Sequence, residues 1–469
     1  MPFPKNTNNH YSKVLAAWAA ALALVLAGLI VLAIWLPSLT GPNIPPESTA
    51  SLETGATTIP TVTTVPTDPP TEPPTEPTEP PVTLESTFTL SATGDMLMHR
   101  PVIYTGTYTD GNYDYANIFS YFADYVSRAD YAVANLETTL ASTDNGYDYM
   151  GYPLFNCPDG IVPSLKNAGF DMVLTANNHS YDTRSIGLHR TAKVIADHEL
   201  KYLGSKQAED EPNYYVVERN GIRLGLCCYT YETNASPNKK APNGITMSDA
   251  DAPLLNTFDY SNLNLFYEEM QDNIAQMKDA GADAVVLFIH WGNEYKTKQN
   301  ATQSAMAQAL CDLGVDVIIG GHPHVVQPVE LLTSNTDPSR KTVCIYSVGN
   351  AVSNQRIVHM DLKTGHTEDG MLFSVTFNRY SDGTVILSET QILPTWVDLR
   401  STPENVYAIL PLDKQIEDWK TEFDLTDTTL TKAQESYDRT MDIVEDGLTA
   451  VNTYLSDLRQ QTESALGVQ

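Results

Sequence analysis

The sequence predicts an α/β protein, and two regularities carry that prediction. Short apolar runs alternate with amphipathic segments, which is the pattern of strands and helices in an α/β sheet. In addition, each of five apolar runs is followed directly by polar residues that can bind a metal ion. Ligands in α/β folds sit outside the carboxyl ends of the strands, so this recurrence also predicts one shared site.

The run 315–319 is the clearest of these strands. It is apolar almost throughout, as expected of a parallel strand that is covered on both faces. Gly320 and Gly321 follow it, and we expect them to let the backbone turn sharply. His322 and His324, separated by one proline, then resemble metal ligands; the alternative is a loop with two surface histidines.

The remaining elements follow the same rule. The predicted strands are 88–93, 131–134, 171–175, 284–289 and 316–319, and the predicted helices between them include 158–168, 186–198, 265–280 and 302–313. The strand ends carry the candidate ligands Asp95, Glu137, Asn178, His179, His290, His322 and His324. Taken singly, several of these could be turn caps or solvated charges. Taken together at successive strand ends, they predict a common centre.

Carboxylate, amide and imidazole donors suit Mn²⁺, Fe, Zn²⁺ or Mg²⁺. The set is large enough for one ion or for two ions about 3.5–4 Å apart, which would activate water and clamp the oxygens of a phosphoryl group. His179 is either an outer residue of the centre or a general acid, and Asp182 is placed to fix its tautomer. Arg100 is placed to hold an anionic oxygen.

The net charge and the cysteine spacing exclude some classes of function and of structural cross-link. A formal net charge of −30 argues against a nucleic-acid partner, since phosphate backbones bind basic surfaces. The five cysteines have no zinc-like spacing, and we expect buried free thiols rather than disulfides.

The two ends of the chain differ in composition from the centre. We predict a cytoplasmic segment at 1–13, a transmembrane anchor at 14–36, a Pro/Thr/Glu-rich linker at 37–84, the α/β domain at 85–400 and a helical extension at 401–469. A cleaved signal peptide is the alternative to the anchor. An uncleaved anchor would make this a single-pass membrane protein with its main domain extracellular.

Six motifs in order resemble the CapA family of capsule and poly-γ-glutamate synthesis proteins. They are Gly94-Asp95 with Arg100, Asn135-Leu136-Glu137, Ala176-Asn177-Asn178-His179 with Asp182, His290-Trp291-Gly292 with Glu294-Tyr295, Gly320-Gly321-His322-Pro323-His324 with Gln327, and Tyr346-Ser347-Val348-Gly349-Asn350 with Gln355. The family in turn is similar to the calcineurin-like metallophosphoesterases. The resemblance implies a four-layer α/β/β/α sandwich, preceded here by the transmembrane helix and followed by the helical tail.

The resemblance also implies roles for single residues. Asp95, Glu137, Asn178, His290, His322 and His324 would be metal ligands, with Glu137 in the place of the bridging aspartate, and His179, Asp182, Arg100 and Glu294 would form the catalytic group. One departure matters. Phosphoesterases have Asp-x-His at the first motif, whereas this chain has Asp95-Met96-Leu97, and His99 cannot be assumed to replace the missing ligand.

Three functions therefore stay open. The first is a metal-dependent hydrolase that acts on a phosphoester or an amide of a surface polymer. The second is a non-catalytic assembly or scaffold subunit of a polymer synthase, and the third is a wall-associated binding module. The implied partners are an anionic cell-surface polymer or the membrane subunits of its synthase. The acidic surface disfavours simple binding of a polyanion unless metal ions bridge the two.

Overall fold

A computed structural model of the chain describes residues 81–109, 111–233, 239–400, 406–413 and 415–468. These residues belong to one unit, Pro77–Gln469. The predicted anchor at 14–36 and most of the predicted linker at 37–84 lie outside the described ranges. Within those ranges, no helix has both the length and the apolar character needed to cross a membrane.

Most of the strands belong to two large sheets. In chain order, they are β1 Leu84–Met96, β2 Thr107–Thr109, β3 Asn112–Asp114, β4 Tyr131–Leu136, β5 Met172–Leu174, β6 Lys201–Leu203, β7 Tyr214–Arg219, β8 Ile222–Tyr231, β9 Thr257–Phe258, β10 Ala284–His290, β11 Val317–Gly321, β12 Val329–Thr333, β13 Lys341–Ile345, β14 Asn350–Val352, β15 Asp369–Tyr380, β16 Val385–Arg400 and β17 Val406–Pro411. The first sheet has the order β17-β16-β15-β1-β4-β5-β6, with β14 beside β1. The second has the order β12-β13-β11-β10-β8-β7, with β9 beside β8, and β2 pairs with β3 separately.

Both sheets are mixed. Strands β1, β4, β5 and β6 run parallel in the first sheet, while β15, β16 and β17 extend it in antiparallel fashion. Strand β11 lies between the parallel neighbours β10 and β13, so the prediction of a buried parallel strand at 315–319 is confirmed. The mixed α/β character predicted from the alternating pattern is also confirmed.

The helices lie between these strands and at the carboxyl-terminal end. The described helices are α1 Arg100–Tyr104, α2 Ala116–Phe119, α3 Ala123–Val126, α4 Ile161–Asn167, α5 Arg184–Asp197, α6 Leu263–Asp279, α7 Ala301–Leu313, α8 Ile416–Glu422 and α9 Asp427–Leu466. Local sequence explains the ends of α7. Asn300 and Gln303 form a reciprocal capping box at its start, and Gly314 takes a left-handed conformation at its end.

Three of the apolar cores show how the sheets and helices are layered. One core lies between the two sheets, where Phe88 and Leu90 of β1 meet Leu224 and Leu226 of β8. The opposite faces of the sheets are covered by helices. Ala132 and Ala134 of β4 share a core with Leu165 of α4, and Leu287 of β10 shares one with Met270 of α6 and Leu310 of α7. The layers are therefore helices, sheet, sheet and helices.

The 40-residue helix α9 packs on this body rather than extending away from it. Its Val444, Val451 and Leu455 enter the core between the sheets. Arg439 on the same helix forms a bidentate ion pair with Asp369, which is 1% exposed at the start of β15. Apolar burial and one buried ion pair thus join α9 to the two sheets.

The five cysteines are free and buried, in agreement with the prediction of unpaired thiols. Burial raises the pKa of Cys228 to about 12, which keeps that thiol protonated.

Candidate metal centre

The carboxyl ends of strands from both sheets meet at one place. In the first sheet, Asp95 lies at the end of β1, Glu137 directly follows β4, and Asn178 lies in the loop after β5. In the second sheet, His290 is the last residue of β10 and His322 directly follows β11. Parallel neighbours end on the same edge of a sheet, so the topology brings these side chains together.

Asp95 is fully buried and held from two sides. Its Oδ1 accepts a hydrogen bond of 2.8 Å from Nδ2 of Asn135. Its Oδ2 lies 3.1 Å from Nδ1 of His324 and accepts a hydrogen bond of 3.2 Å from the backbone N–H of His322. The carboxylate of the first sheet is therefore fixed against the histidine loop of the second.

Glu137 lies at the middle of the cluster. Its Oε1 is 3.4 Å from Nε2 of His290 and 4.0 Å from Nε2 of both His179 and His324. Its side chain is 0% exposed, and neither carboxylate oxygen has a hydrogen-bond partner within the described chain. Ligand atoms of Asp95, Glu137 and His324 all lie within 4.8 Å of one another, so these three residues can hold a metal ion.

A second group of donors lies around His290, whose Nε2 is 3.4 Å from Oε1 of Glu137. Oδ1 of Asn178 is 2.9 Å from Nε2 of His290. The ring of His322 is 4.9 Å from that of His290 and 5.8 Å from that of His324, measured between centroids. The buried Nδ1 of His322 has no hydrogen-bond partner within the described residues. The structure thus gathers all six predicted ligands, while their role as ligands remains a prediction.

The glycines before His322 act differently from the expectation of a sharp turn. Gly320 and Gly321 remain within β11, and the positive φ angles fall on His322 (94°) and His324 (56°) instead. What the glycines provide is space. A Cβ on Gly320 would lie 2.0 Å from the carbonyl oxygen of Tyr346, and one on Gly321 would lie 3.0 Å from Oδ1 of Asp95. Positive φ in two non-glycine residues is typical of a functional site.

His179 and Asp182 form a buried pair beside the centre. Nδ1 of His179 is 2.7 Å from Oδ2 of Asp182, which also accepts a hydrogen bond of 2.6 Å from the backbone N–H of Phe155. With its Nδ1–H donated to this carboxylate, His179 turns Nε2 toward Glu137. The structure therefore brings His179 and Asp182 together, and their catalytic role stays a prediction.

The other two catalytic candidates lie at the periphery. Arg100 is the first residue of α1 and is exposed, and within the described chain its side chain has no hydrogen bond or ion pair to a residue of the centre. Glu294 is exposed as well, but its charge affects two tyrosines whose rings lie near the histidines of the centre. Together with burial, it raises the pKa values of Tyr231 and Tyr295, whose rings lie 4.8 Å from His322 and 6.2 Å from His324.

Sequence reasoning missed two asparagines that hold the ligands. Nδ2 of Asn177 donates to Oδ1 of Asn135 at 3.1 Å, and Asn135 in turn donates to Asp95. Oδ1 of Asn177 accepts from the backbone N–H of His179 at 3.1 Å. Both asparagines sit in recognised motifs, immediately before a ligand or two residues from one, and that position was the available signal.

His99 also lies near the centre. Burial lowers its pKa to about 4, helped by the neighbouring charge of His324. Its ring stacks edge-on against Phe155, which in turn stacks edge-on against His179. The Phe155 ring therefore contacts both His99 and His179.

Charge coupling within the centre is strong. Burial by itself would lower the pKa of His324, but Glu137 and Asp95 outweigh it and raise that pKa to about 9. Burial would raise the pKa of Glu137, but the imidazoles of His290 and His324 outweigh it and lower that pKa. The pKa of His322 falls well below its usual value through burial and the neighbouring imidazoles. Without a metal, a proton on His324 thus balances the buried carboxylates.

The donor set fits a divalent ion. A buried carboxylate without a hydrogen-bond partner is costly, and a cation removes that cost. Imidazole, carboxylate and amide donors suit Mn²⁺, Fe²⁺, Zn²⁺ or Mg²⁺.

Fold and site together define a class: a mixed α/β protein of two facing sheets with a buried, metal-competent centre where their strands end. The family model "Bacterial capsule synthesis protein PGA_cap" matches residues 89–355, which is more than half of the chain. The chain belongs to this family, and the resemblance to the CapA family is confirmed.

Two curated relatives agree with that assignment. The chain is 27% identical over 307 residues to "Capsule biosynthesis protein CapA" of Bacillus anthracis, covering 64% of this chain and 66% of that one. It is 28% identical over 244 residues to "PGA biosynthesis protein CapA" of Bacillus subtilis (strain 168), covering 51% and 57%. The matches thus span less than two thirds of each relative. A solved hypothetical protein from Thermus thermophilus aligns with 66% of this chain and 99% of its own at 13% identity and a TM-score of 0.36, which carries no inference.

Proposed function

We propose that this CapA-family protein is a metal-dependent hydrolase of capsule or poly-γ-glutamate biosynthesis, which cleaves a phosphoester or an amide in a cell-surface polymer. The observation that carries the proposal is the Glu137 carboxylate. It is buried among imidazoles, and neither of its oxygens has a hydrogen-bond partner in the described chain. Burying an ionised carboxylate without hydrogen bonds costs free energy, and a bound cation would offset that cost.

The layering of the two sheets supports a finer assignment, the calcineurin-like metallophosphoesterase sandwich. On that assignment Glu137 would be shared by two metal positions. Asp95, Glu137 and His324 would hold one ion, and Glu137, Asn178, His290 and His322 would hold the other. Leu97 stands where phosphoesterases place a further histidine, so the first position has fewer donors. We infer that the second position binds its ion more tightly.

The chemistry that such ions supply is activation of a water molecule and neutralisation of charge on the group being transferred. The chain's own contribution is His179, whose Nε2 faces the centre while Asp182 fixes Nδ1. In that orientation His179, when both of its ring nitrogens are protonated, can give the Nε2 proton to the leaving group, while Asp182 stabilises the imidazolium through Nδ1–H. Glu294 lies at the rim, where it would contact the substrate rather than a metal.

The location of the reaction is part of the proposal. The predicted anchor at 14–36 and the linker that follows would hold the domain outside the cell, near a surface polymer or the membrane subunits of its synthase. The names of the two relatives refer to capsule and PGA biosynthesis, which is consistent with that setting.

A second candidate is a non-catalytic assembly subunit that keeps the metal centre for structure or for binding the polymer. The missing histidine at Leu97 favours it, and so does the exposed Arg100, whose side chain forms no hydrogen bond or ion pair with the centre in the described chain. Both candidate functions require a bound metal ion, but only the hydrolase would turn over a substrate.

The test uses the purified full-length chain, metal analysis and bis(p-nitrophenyl) phosphate as a generic phosphodiester. We expect bound divalent metal and turnover that His179→Ala abolishes without unfolding the protein. His189→Ala is the matched control, because that histidine bonds Asp251 and its side chain is 42% exposed. Bound metal without turnover on this diester and on a γ-glutamyl amide would favour the assembly subunit, and absence of metal would contradict both candidates.

A further inference from the structure

The connection between β8 and β9 reaches from the second sheet to the loop that carries His179. Two side chains of this connection, those of Asn243 and Asp251, form hydrogen bonds with that loop. Asn243 contacts Asp182, and Asp251 accepts a hydrogen bond of 2.6 Å from the hydroxyl of Tyr181. Only the first of these contacts is next to the reactive side of the centre.

The amide of Asn243 has a defined set of partners. Its Nδ2 lies 2.8 Å from Oδ1 of Asp182 and 3.2 Å from the carbonyl oxygen of Pro153. These two acceptors use both amide hydrogens. Nδ2 is also 3.3 Å from Nδ1 of His179, but that imidazole N–H donates to Oδ2 of Asp182, so the third contact joins two donors and is not a hydrogen bond. The opposite amide orientation would point oxygen at a carboxylate.

We propose that Asn243 is a positioning residue for His179, acting through Asp182. The inference rests on the function proposed above for His179. Asn243 occupies Oδ1 of Asp182 and so leaves Oδ2 for Nδ1–H of His179. That bond sets both the tautomer and the ring orientation, and it turns Nε2 toward Glu137, 4.0 Å away. Asn243 thereby completes a relay of Asn243, Asp182 and His179.

The backbone at this position makes a clean test possible. Asn243 has φ 48° and ψ 33°, the left-handed region, which Asn, Asp and Gly tolerate better than other residues. Asn243→Gly therefore keeps the loop conformation and removes the amide. Asn243→Asp keeps the shape but places a second carboxylate against Asp182. Tyr181→Phe is the matched control, because it removes a hydrogen bond between the same two segments without touching His179.

The first measurement is steady-state turnover of bis(p-nitrophenyl) phosphate by the metal-loaded full-length chain. Loss of a partner that orients such a residue costs about 10–100-fold, so we expect Asn243→Gly to lower kcat by about tenfold with KM and metal content unchanged. Asn243→Asp should lower kcat further, while Tyr181→Phe should lower Tm and leave kcat near the wild-type value. Wild-type kcat in Asn243→Gly, or an equal loss of kcat in Tyr181→Phe, would overturn the proposal.

A second measurement separates this inference from the proposed function. If the wild type binds metal but turns nothing over, the hydrolase proposal fails, and the relay is then decided by NMR of the Zn²⁺-loaded chain. The hydrogen-bonded Nδ1–H of His179, identified by its loss in His179→Ala, should give a downfield proton resonance. We expect Asn243→Gly and Asn243→Asp to move it and Tyr181→Phe to leave it in place. An unmoved resonance in Asn243→Gly would refute the positioning role.

Discussion

Two buried carboxylates in this protein have opposite surroundings. Asp369, at the start of β15, is 1% exposed and accepts hydrogen bonds from Ser436 (2.6 Å) and from Nε and Nη2 of Arg439 (2.8 and 2.6 Å). Glu137 is 0% exposed and accepts none within the described chain. We call Asp369, Ser436 and Arg439 the helix-anchoring cluster.

This difference in surroundings indicates that Asp369 has a structural role, whereas Glu137 belongs to a binding site. An ionised carboxylate inside a protein is costly unless it is paired and hydrogen-bonded. Around Asp369 the chain supplies the ion pair and hydrogen bonds itself and uses them to join α9 to the sheets, although burial outweighs these partners and raises the pKa of Asp369 to about 6. Around Glu137 the chain supplies imidazoles that prefer either a proton or a metal ion, so the centre is built to take a ligand.

The largest expected effect is at Glu137. Glu137→Gln keeps the shape but removes the charge shared by both metal positions, and we expect turnover to fall by about 10³-fold, the size of losing a central electrostatic contact. The measurement is kcat at saturating Mn²⁺ together with metal content. Glu389→Gln, at an exposed position of β16, is the control. Wild-type turnover in Glu137→Gln would show that the buried carboxylate has no part in the reaction.

Substitutions in the helix-anchoring cluster should lower the free energy of unfolding rather than turnover. Arg439→Met leaves Asp369 buried without its cation, which typically costs about 3–5 kcal/mol. Denaturant unfolding of the metal-loaded chain measures this loss, and metal content should remain that of the wild type. The double variant Arg439→Met with Asp369→Asn should recover most of the loss. A cost below about 1 kcal/mol would mean that α9 does not depend on this pair.

The next prediction concerns Asn135, which holds the predicted ligand Asp95 in place through a hydrogen bond. It donates to Asp95, and removal of such outer partners typically weakens metal binding by about 10–100-fold. We expect that loss in Asn135→Ala, measured as the Kd for Mn²⁺. Asn273→Ala is a comparison on α6, since that asparagine donates to Tyr229 and, among the described residues, forms no hydrogen bond with the metal centre. Equal Kd values for Asn135→Ala and wild type would contradict the assignment of Asp95 as a ligand.

The smallest effect per step is the pH dependence of metal binding, counted for a change of one pH unit. The pKa of His324 is raised from 6.5 to about 9 in the metal-free fold, so its stabilising contribution is fully present below 6.5 and is lost as pH rises through 9. Metal must displace this proton, so affinity should rise about tenfold per pH unit across that window. Titration with Mn²⁺ at several pH values measures the slope, and His324→Gln should abolish it. A flat profile in the wild type would show that His324 is not a ligand.

Much of this organisation could be predicted from the sequence, and the reason is physical. The run 315–319 and its neighbours are continuous apolar strands, and polar groups at their carboxyl ends converge in any parallel arrangement. That logic located Asp95, Glu137 and His290 without a structure. It could not locate Asn243, which belongs to a different sheet's connection and reaches Asp182 through an irregular loop.

Other features were beyond sequence reasoning for related reasons. Arg100 follows Asp95 closely, yet the turn into α1 leaves it exposed. The role of Gly320 and Gly321 was misjudged because close approach to Tyr346 and Asp95 is a tertiary property. The ion pair of Arg439 with Asp369 joins residues 70 positions apart, with no local signal in either segment.

The most direct test is to locate a metal in the purified full-length chain. Crystals grown with Mn²⁺ and measured at its absorption edge would show the ion by anomalous scattering. We expect a peak about 2.0–2.2 Å from a carboxylate oxygen of Glu137, with imidazoles among its other ligands, and no peak in Glu137→Gln. A Glu137 carboxylate without any ion at saturating Mn²⁺, or an ion bound equally well in Glu137→Gln, would contradict the metal centre.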